Sequence, residues 1–138
     1  MAFLTLTDIE RAIRSSWGQD TYPPDARTPW DPGNPARGQC GVVAVVLNDI
    51  LGGELMRGEV HVDGERVDFH WWNRLPGGLE IDLTREQFSE HEIVTDGTAI
   101  ARPPGAEIKR LKAEYELLRQ RVFAALAARQ LEHAGTAT

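Results

Sequence analysis

The chain has 138 residues, of which 41% are hydrophobic and 26% charged, values typical of one soluble globular domain. No apolar run approaches the ~20 residues of a membrane span, and the first residues lack the basic-then-apolar pattern of a signal peptide. A net charge of −6 and a pI near 5.2 disfavour nucleic acid and anionic membranes as partners. The single cysteine excludes an internal disulfide and a cysteine-based zinc site. These features predict a cytoplasmic, single-domain α+β protein that needs no cofactor.

Residues 1–17 are predicted to form an N-terminal helix, because Thr7 and Glu10 have the spacing of a capping box. Residues 18–38 follow as a proline-rich arm, in which too many amide donors are missing for a helix or a strand. Two interpretations of this arm stay open. It is either an irregular cover for the core or the wall of a substrate cleft to which Trp17 and Trp30 contribute.

Residues 39–100 are predicted to hold the core, a buried helix followed by an antiparallel β-meander. The apolar run Val42 to Leu47 leads into Gly52-Gly53, and that length with a glycine stop fits a helix better than a strand. Asp63-Gly64 is a strong signal for a tight hairpin, and a turn around Pro76 adds a third strand at residues 79–83. A second capping box, Thr84 to Gln87, predicts a short helix, and residues 92–100 read as an irregular strand.

A long helix is predicted at residues 106–131, with a frayed tail at 132–138. Its apolar residues recur every three or four positions: Ile108, Leu111, Tyr115, Leu118, Val122 and Leu126. Such a stripe packs on the protein's own core or forms a dimer. Packing within the chain is favoured, so the expected state is a monomer or a weak homodimer.

Cys40 lies at the predicted start of the buried helix. Free amides and the positive end of the helix dipole would lower the pKa of a thiol there and make the sulfur nucleophilic. Gln39, one residue earlier, could offer its side-chain amide to a developing oxyanion. The alternative is an inert core thiol, which is the commoner role of a lone cysteine in an apolar run.

His70 and Asp82 are equally far from Pro76, one before it and one after it. A hairpin centred on Pro76 would place them opposite each other on one face. A carboxylate at one imidazole nitrogen fixes the tautomer and leaves the other nitrogen to take a thiol proton. Asn73 falls on the opposite face and is assigned to the turn. The alternative is a surface His–Asp pair unrelated to Cys40, and the scattered histidines argue against a zinc site.

Three blocks of residues together resemble the bacterial YunG-like family of small proteins. They are, in order, Gly38-Gln39-Cys40, then His70-Trp71-Trp72-Asn73-Arg74-Leu75, then Ile81-Asp82-Leu83-Thr84-Arg85-Glu86-Gln87-Phe88, and the resemblance runs from about Trp17 to Phe88. Trp71 stands where the usual form of the middle block has tyrosine, which keeps an aromatic ring there.

The order of cysteine, histidine and acid is also similar to the papain-like core of NlpC-type peptidases and transglutaminase-like proteins. This resemblance implies a papain-like α+β fold, with Cys40 as nucleophile, His70 as base and Asp82 as the group that orients the base. The expected function is a cysteine-dependent hydrolase or acyl transferase acting on an amide or ester bond of a peptide or small molecule. Its cleft would be lined by Trp17, Trp30, Trp71, Trp72 and Asn73. The alternative is a non-catalytic binding module on the same scaffold that recognises a peptide or small polar ligand.

Overall fold

The computed structural model describes residues 4–102 and 110–136. Within these ranges the chain forms three α-helices and an open antiparallel sheet, which confirms the predicted α+β class. The helices are α1 (Leu6–Ser16), α2 (Cys40–Leu51) and α3 (Lys112–Thr136). The strands are β1 (Glu54–Val62), β2 (Glu65–Arg74), β3 (Glu80–Ile81), β4 (Ile93–Val94) and β5 (Thr98–Ile100).

The long β1–β2 hairpin is the framework of the sheet. It turns at Asp63 and Gly64, whose φ angles of 52° and 81° are left-handed, as a tight Asp-Gly turn requires. β3 pairs with the far end of β2, while β4 and β5 pair with the two ends of β1, so the order is β3-β2-β1-β4 with β5 beside β1. The predicted meander is confirmed, and the uncertain segment 92–100 supplies the two short strands on the outer edge.

The predicted buried helix is confirmed as α2, which lies between the other two helices and the sheet. Val43, Val46 and Leu47 pack against α1 and α3. Ala44 and Val45, on the opposite side of α2, pack against the sheet. Burial of each valine or leucine side chain contributes roughly 1.5–3 kcal/mol to the free energy of folding. Because α2 buries such side chains on two sides, it is the main element of the core.

The cap of the N-terminal helix is Thr5, two residues before the predicted cap Thr7, and the helix covers Leu6–Ser16 rather than all of residues 1–17. Thr5 and Asp8 form the capping box: the Asp8 amide donates to Oγ1 of Thr5 at 3.1 Å, and the Thr5 amide donates to Oδ2 of Asp8 at 2.9 Å. Arg129 of α3 donates to the other Asp8 oxygen at 3.1 Å. The predicted capping box of Thr7 and Glu10 is therefore wrong. Asp8 forms the box with Thr5 instead, and its contact with Arg129 stabilises that choice.

The predicted helix at Thr84 is only one 3-10 turn, Arg85–Gln87, and the third strand covers Glu80–Ile81 rather than residues 79–83. The Thr84 side chain caps nothing. Its backbone amide instead donates to Oδ1 of Asp82 at 3.2 Å, which bends the chain away from the sheet. The capping box predicted there is therefore wrong.

The described part of the last helix runs to Thr136, so the predicted tail at 132–138 is helical over most of its length. Its predicted start at Ala106, and Ile108 with it, lie outside the described residues. Leu118, Val122 and Leu126 are buried against α1 and α2, so the stripe packs within the chain, on helices. None of the helices in the described ranges is long and apolar enough to cross a bilayer.

Candidate active site

His70 and Asp82 are hydrogen-bonded, with Nε2 of the ring 2.6 Å from Oδ2 of the carboxylate. The ring of His70 is completely buried. In the β2–β3 hairpin Asn73 is paired with Ile81. If this register continues by one residue, Trp72 lies opposite Asp82. Asp82 therefore reaches His70 along the diagonal, a distance within reach of long side chains on one face of a sheet. The predicted face is correct, and the predicted register is off by two residues.

Two neighbours hold the Asp82 carboxylate in place. The Thr84 amide donates to Oδ1 at 3.2 Å, and Nε of Arg85 donates to Oδ2 at 2.9 Å. Burial acts to raise the pKa of Asp82. The hydrogen bond and charge of His70, together with Thr84 and Arg85, outweigh it, so the pKa lies below its usual value of 3.8. The carboxylate is therefore ionised and oriented toward His70.

The second ring nitrogen of His70 has no hydrogen-bond partner among the described residues. The ring lies between two aromatic side chains, stacked at 5.5 Å from Trp72 and edge-on at 4.7 Å from Phe88. A buried polar atom left unpaired costs about 1–3 kcal/mol, so such atoms are rare in native proteins and often mark functional groups. Nδ1 of His70 is such an atom.

Cys40 lies on the side of α2 that faces the sheet, one turn before Ala44. On the same side, Nδ2 of Asn73 donates to the Ala44 carbonyl at 2.9 Å, and Trp71 packs beneath Ala44. Because side chains alternate along a strand, Trp71 and Asn73 face α2, while His70 points to the other face.

The Trp71 amide acts to lower the pKa of the Cys40 thiol, so the thiol lies near this amide. The Leu75 amide donates to the Leu79 carbonyl across the β3 turn at 2.7 Å, and alternate residues of an antiparallel strand direct their amides to the same neighbour. The Trp71 amide therefore points to the β3 side, beyond the point where β3 ends at Ile81. The Cys40 thiol is therefore near the part of β2 that β3 leaves unpaired.

Burial raises the pKa of the Cys40 thiol to about 11. The Trp71 and Gly41 amides act to lower this pKa, and the charges of Asp68 and Asp82 act to raise it. By its exposed surface, Cys40 as a whole is only partly buried. The predicted lowering of the pKa at a helix start is therefore wrong, because the loss of water outweighs the helix amides.

The described part of the structure contains no hydrogen bond between Nδ1 of His70 and the Cys40 sulfur. His70 and Asp82 meet at the end of β3, while Cys40 lies on the α2 side of the sheet. The arrangement can supply a thiol, an oriented imidazole with one free nitrogen, and backbone amides at the start of a helix.

Gln39 and Asn73 have structural roles that the sequence did not indicate. Gln39 is fully buried, donates from Nε2 to the Gly18 carbonyl at 3.0 Å, and accepts from Oγ1 of Thr21 at 2.8 Å. It anchors the proline-rich arm, so the oxyanion role expected of its side chain has no support in this geometry. The turn role assigned to Asn73 is wrong, because its amide is used to fasten α2 to β2.

The four tryptophans do not line one cleft. Trp17 packs on the helical core, and Nε1 of Trp30 donates to the Pro35 carbonyl at 3.3 Å within the arm. Trp71 faces α2, whereas Trp72 lies on the opposite face and donates to Glu80 at 2.6 Å. The expectation of a common tryptophan wall is therefore wrong.

A cleft of about 440 Å³ lies instead between the proline-rich arm and residues 86–92. Phe88, whose ring edge meets His70, lines it from one side, and Arg37 of the arm lines it from the other. Nη1 of Arg37 donates to both carboxylate oxygens of Glu92 at 2.9 Å and to the Gln87 carbonyl at 3.2 Å, which connects the arm to the opposite wall. No sequence pattern pointed to Arg37. Phe88 was visible only as the end of the third block, and the arm does form the wall of a cleft.

No group of three or more histidine, cysteine, aspartate or glutamate side chains within the described ranges could hold a metal ion.

The fold and the site define a small α+β protein that has a hydrogen-bonded His–Asp pair in its sheet and a cysteine as the first residue of its central helix. The profile of the YunG protein family matches residues 5–127, and the chain belongs to this family. It is 30% identical over 82 residues to the uncharacterized protein YunG of Bacillus subtilis strain 168. That alignment covers 58% of this chain and 60% of the relative. No solved structure matches the chain.

Proposed function

We propose that this protein is a cysteine-dependent hydrolase or acyl transferase with a papain-like arrangement of catalytic groups, acting on an amide or ester bond. Cys40 is the nucleophile, His70 the base and Asp82 the group that orients the base. One observation carries the proposal: His70 is bonded to an ionised carboxylate through one nitrogen, while its other nitrogen is buried without a partner in the described residues.

The tautomer of His70 follows from this pairing. The Asp82 carboxylate accepts a hydrogen bond from Nε2, so the proton of a neutral ring is on Nε2 and the lone pair is on Nδ1. Nδ1 is then the atom that can remove a proton. Because Nδ1 has no competing hydrogen bond, little reorganisation is needed before it accepts a proton.

The raised pKa of Cys40 determines the order of events. The thiol is protonated at neutral pH, so Nδ1 removes the thiol proton as the sulfur attacks the carbonyl carbon. His70 then returns the proton to the leaving amine or alcohol, and water or a second acceptor takes the acyl group. Cys40 lies on the α2 side of the sheet and His70 points to the other face, so the substrate complex must bring the sulfur and Nδ1 together around the edge of the sheet.

Backbone amides supply the oxyanion site in this proposal, since the Gln39 side chain is engaged elsewhere. The first amides of α2 have no partners inside the helix, and the Trp71 amide already lies beside the sulfur. A lone thiol nucleophile persists in the reducing cytoplasm, where we propose that the protein acts. The substrate is a peptide or a small-molecule amide or ester.

The test is a screen of fluorogenic amides and activated esters with the unmodified protein and single variants. Cys40→Ala and His70→Gln should each abolish turnover, while His91→Gln, which changes an exposed histidine, should leave it unchanged. Circular dichroism and thermal unfolding verify that each variant is folded. Turnover that survives in folded Cys40→Ala would exclude the proposal.

A second candidate function, a non-catalytic binding module, is favoured by the absence of a hydrogen bond between His70 and the sulfur in the described structure and by the high pKa of the thiol. In that case the His–Asp pair stabilises the sheet and Cys40 is an inert core thiol. Ligand binding would then be the same in Cys40→Ala and in the unmodified protein, and no substrate would be turned over.

A further inference from the structure

A cationic aromatic surface lies on the α2 side of the sheet, beyond the part that α2 covers. It consists of Arg57 on β1 with Phe69 and Trp71 on β2, and we refer to it as the Arg57 platform. Arg57 and Trp71 are directly paired in the β1–β2 register. The guanidinium carbon of Arg57 is 4.9 Å from the centre of the Phe69 ring and 5.6 Å from the centre of the Trp71 ring.

The guanidinium of Arg57 has no carboxylate partner among the described residues, although most other arginines there have one. The nearest acid on the same face is Glu59, two residues along β1, and its carboxylate contacts His61 at 2.9 Å and Arg66 at 3.9 Å. The Arg57 guanidinium contacts the rings of Phe69 and Trp71, which leaves its N–H groups to bind an anion. The Phe69 ring is shared with Arg66, whose guanidinium carbon lies 4.7 Å from the ring centre.

The platform is exposed and adjoins the candidate nucleophile. Phe69 is 37% exposed and Val67 beside it is 57% exposed, which is unusual for an apolar pair on a short sheet. Trp71, one of the three platform residues, packs against the Ala44 cluster, and Ala44 lies one turn after Cys40 on α2. A ligand resting on the platform therefore extends toward the thiol along β2.

We propose that the Arg57 platform binds a carboxylate of the substrate, so that the protein acts on acidic peptides. This rests on the proposed function in taking Cys40 as the reacting group. A guanidinium held by two rings presents its donors in one plane, which matches a carboxylate with two parallel hydrogen bonds. The rings add a surface for the apolar part of the same side chain. The platform thus selects aspartate or glutamate over the neutral amides of the same shape.

The experiment measures binding without catalysis. The full chain carrying Cys40→Ala is titrated against a fluorescently labelled short peptide rich in glutamate, and against the same peptide with glutamine at those positions, by fluorescence anisotropy at low salt. The glutamate peptide should bind about tenfold more tightly, the value expected for one charge-assisted contact, and the difference should shrink as salt is added. Arg57→Gln should remove the preference.

Two further variants separate the platform from general electrostatics. Arg11→Gln removes the same charge from an exposed position on α1, where the structure shows no acidic partner in the described residues, and should keep the preference. Phe69→Leu keeps the charge and removes one ring, and should weaken binding of the glutamate peptide. Equal binding of the two peptides, or an equal loss in Arg11→Gln and Arg57→Gln, would overturn the platform proposal.

The outcomes also separate the two proposals. If the preference depends on Arg57 but the unmodified protein never cleaves or transfers the peptide, the platform stands and the acyl-transfer function fails. If the protein turns over substrates with no preference for acidic residues, the function stands and the platform fails.

Discussion

Asp82 meets His70 across the diagonal of the β2–β3 hairpin, with Oδ2 of the carboxylate 2.6 Å from Nε2 of the ring. Arg85 donates to the same oxygen at 2.9 Å. A buried carboxylate between two cationic or polar donors keeps its charge, and its lowered pKa links the stability of this corner of the protein to pH.

The stability that Asp82 contributes should be lost in acid. The pKa of Asp82 is depressed in the folded state, so the contribution is fully present above the usual value of 3.8 and disappears as the pH falls through the lower, folded value. Urea unfolding between about pH 6 and pH 2 should show a smaller acid-induced loss of the free energy of unfolding in Asp82→Asn than in the unmodified protein. Arg85→Gln should reduce that loss in part, since the charge of Arg85 is one cause of the low pKa.

Other carboxylates with lowered pKa values add to the acid response of every variant, so the comparison needs a control. Arg66→Gln removes an exposed arginine that lies 3.9 Å from Glu59 and does not contact Asp82. Its acid-induced loss should match that of the unmodified protein. An equal change in Arg66→Gln and Arg85→Gln would show that net charge, and not the Asp82 contact, produces the effect.

Cys40 should alkylate slowly at neutral pH. A thiol with a pKa of about 11 is ionised in about one molecule in 10,000 at pH 7, and the thiolate is the species that reacts. The rate with iodoacetamide, followed by mass spectrometry, should therefore rise steadily through the alkaline range. The same protein unfolded in urea provides the control, because its thiol has an ordinary pKa and should react far faster. Rapid alkylation of the folded protein at pH 6 would show that a thiolate is already formed.

Periodicity made half of this site predictable. Side chains alternate between the faces of a strand, so an error of two residues in the register left His70 and Asp82 on the same face, and the pair was found despite it. The central helix was predictable for a similar reason, since the length of its apolar run and the glycines after it are local signals.

The rest of the site depends on contacts between elements that are distant in the sequence. The pKa of Cys40 is set by burial against β2, and a helix start in the sequence does not reveal that burial. The Gln39 amide donates to a backbone carbonyl at the start of the arm, and the Asn73 amide donates to a backbone carbonyl of α2. In a different packing of the chain either amide could have had another role. Thr84 had the sequence pattern of a helix cap, but in the structure its backbone amide donates a hydrogen bond to the Asp82 carboxylate.

The capping residue of α1 can be identified by a pair of substitutions. Oγ1 of Thr5 accepts the Asp8 amide, whereas Thr7 is an exposed residue inside the helix. Thr5→Ala should lower the free energy of unfolding by about 1 kcal/mol. Thr7→Ala should change it by a few tenths of a kcal/mol at most, in the stabilising direction. Chemical denaturation of the two variants measures both, and the reverse order would restore Thr7 as the cap.

Gly97 leaves room for the ring of Trp72, and this ring stacks on His70. A Cβ atom at Gly97 would overlap Cζ2 and Cη2 of the Trp72 ring, closer than any real contact. Gly97→Ala should therefore displace the ring and lower the free energy of unfolding by about 1–3 kcal/mol, the usual range for overpacking. Because the displaced ring lies against His70, the same variant should reduce any His70-dependent turnover.

A second substitution shows whether the clash with Trp72 is the cause. In a Trp72→Leu background the ring is gone, so adding Gly97→Ala should lower the free energy of unfolding much less than it does in the unmodified protein. Gly41→Ala is the matched control, because its nearest neighbour would be a Leu111 methyl at 3.8 Å, an ordinary contact, and alanine suits the interior of α2. That variant should be neutral or more stable by up to about 1 kcal/mol. If Gly97→Ala is equally destabilising with and without Trp72, the clash involves another group and Trp72 does not depend on this glycine.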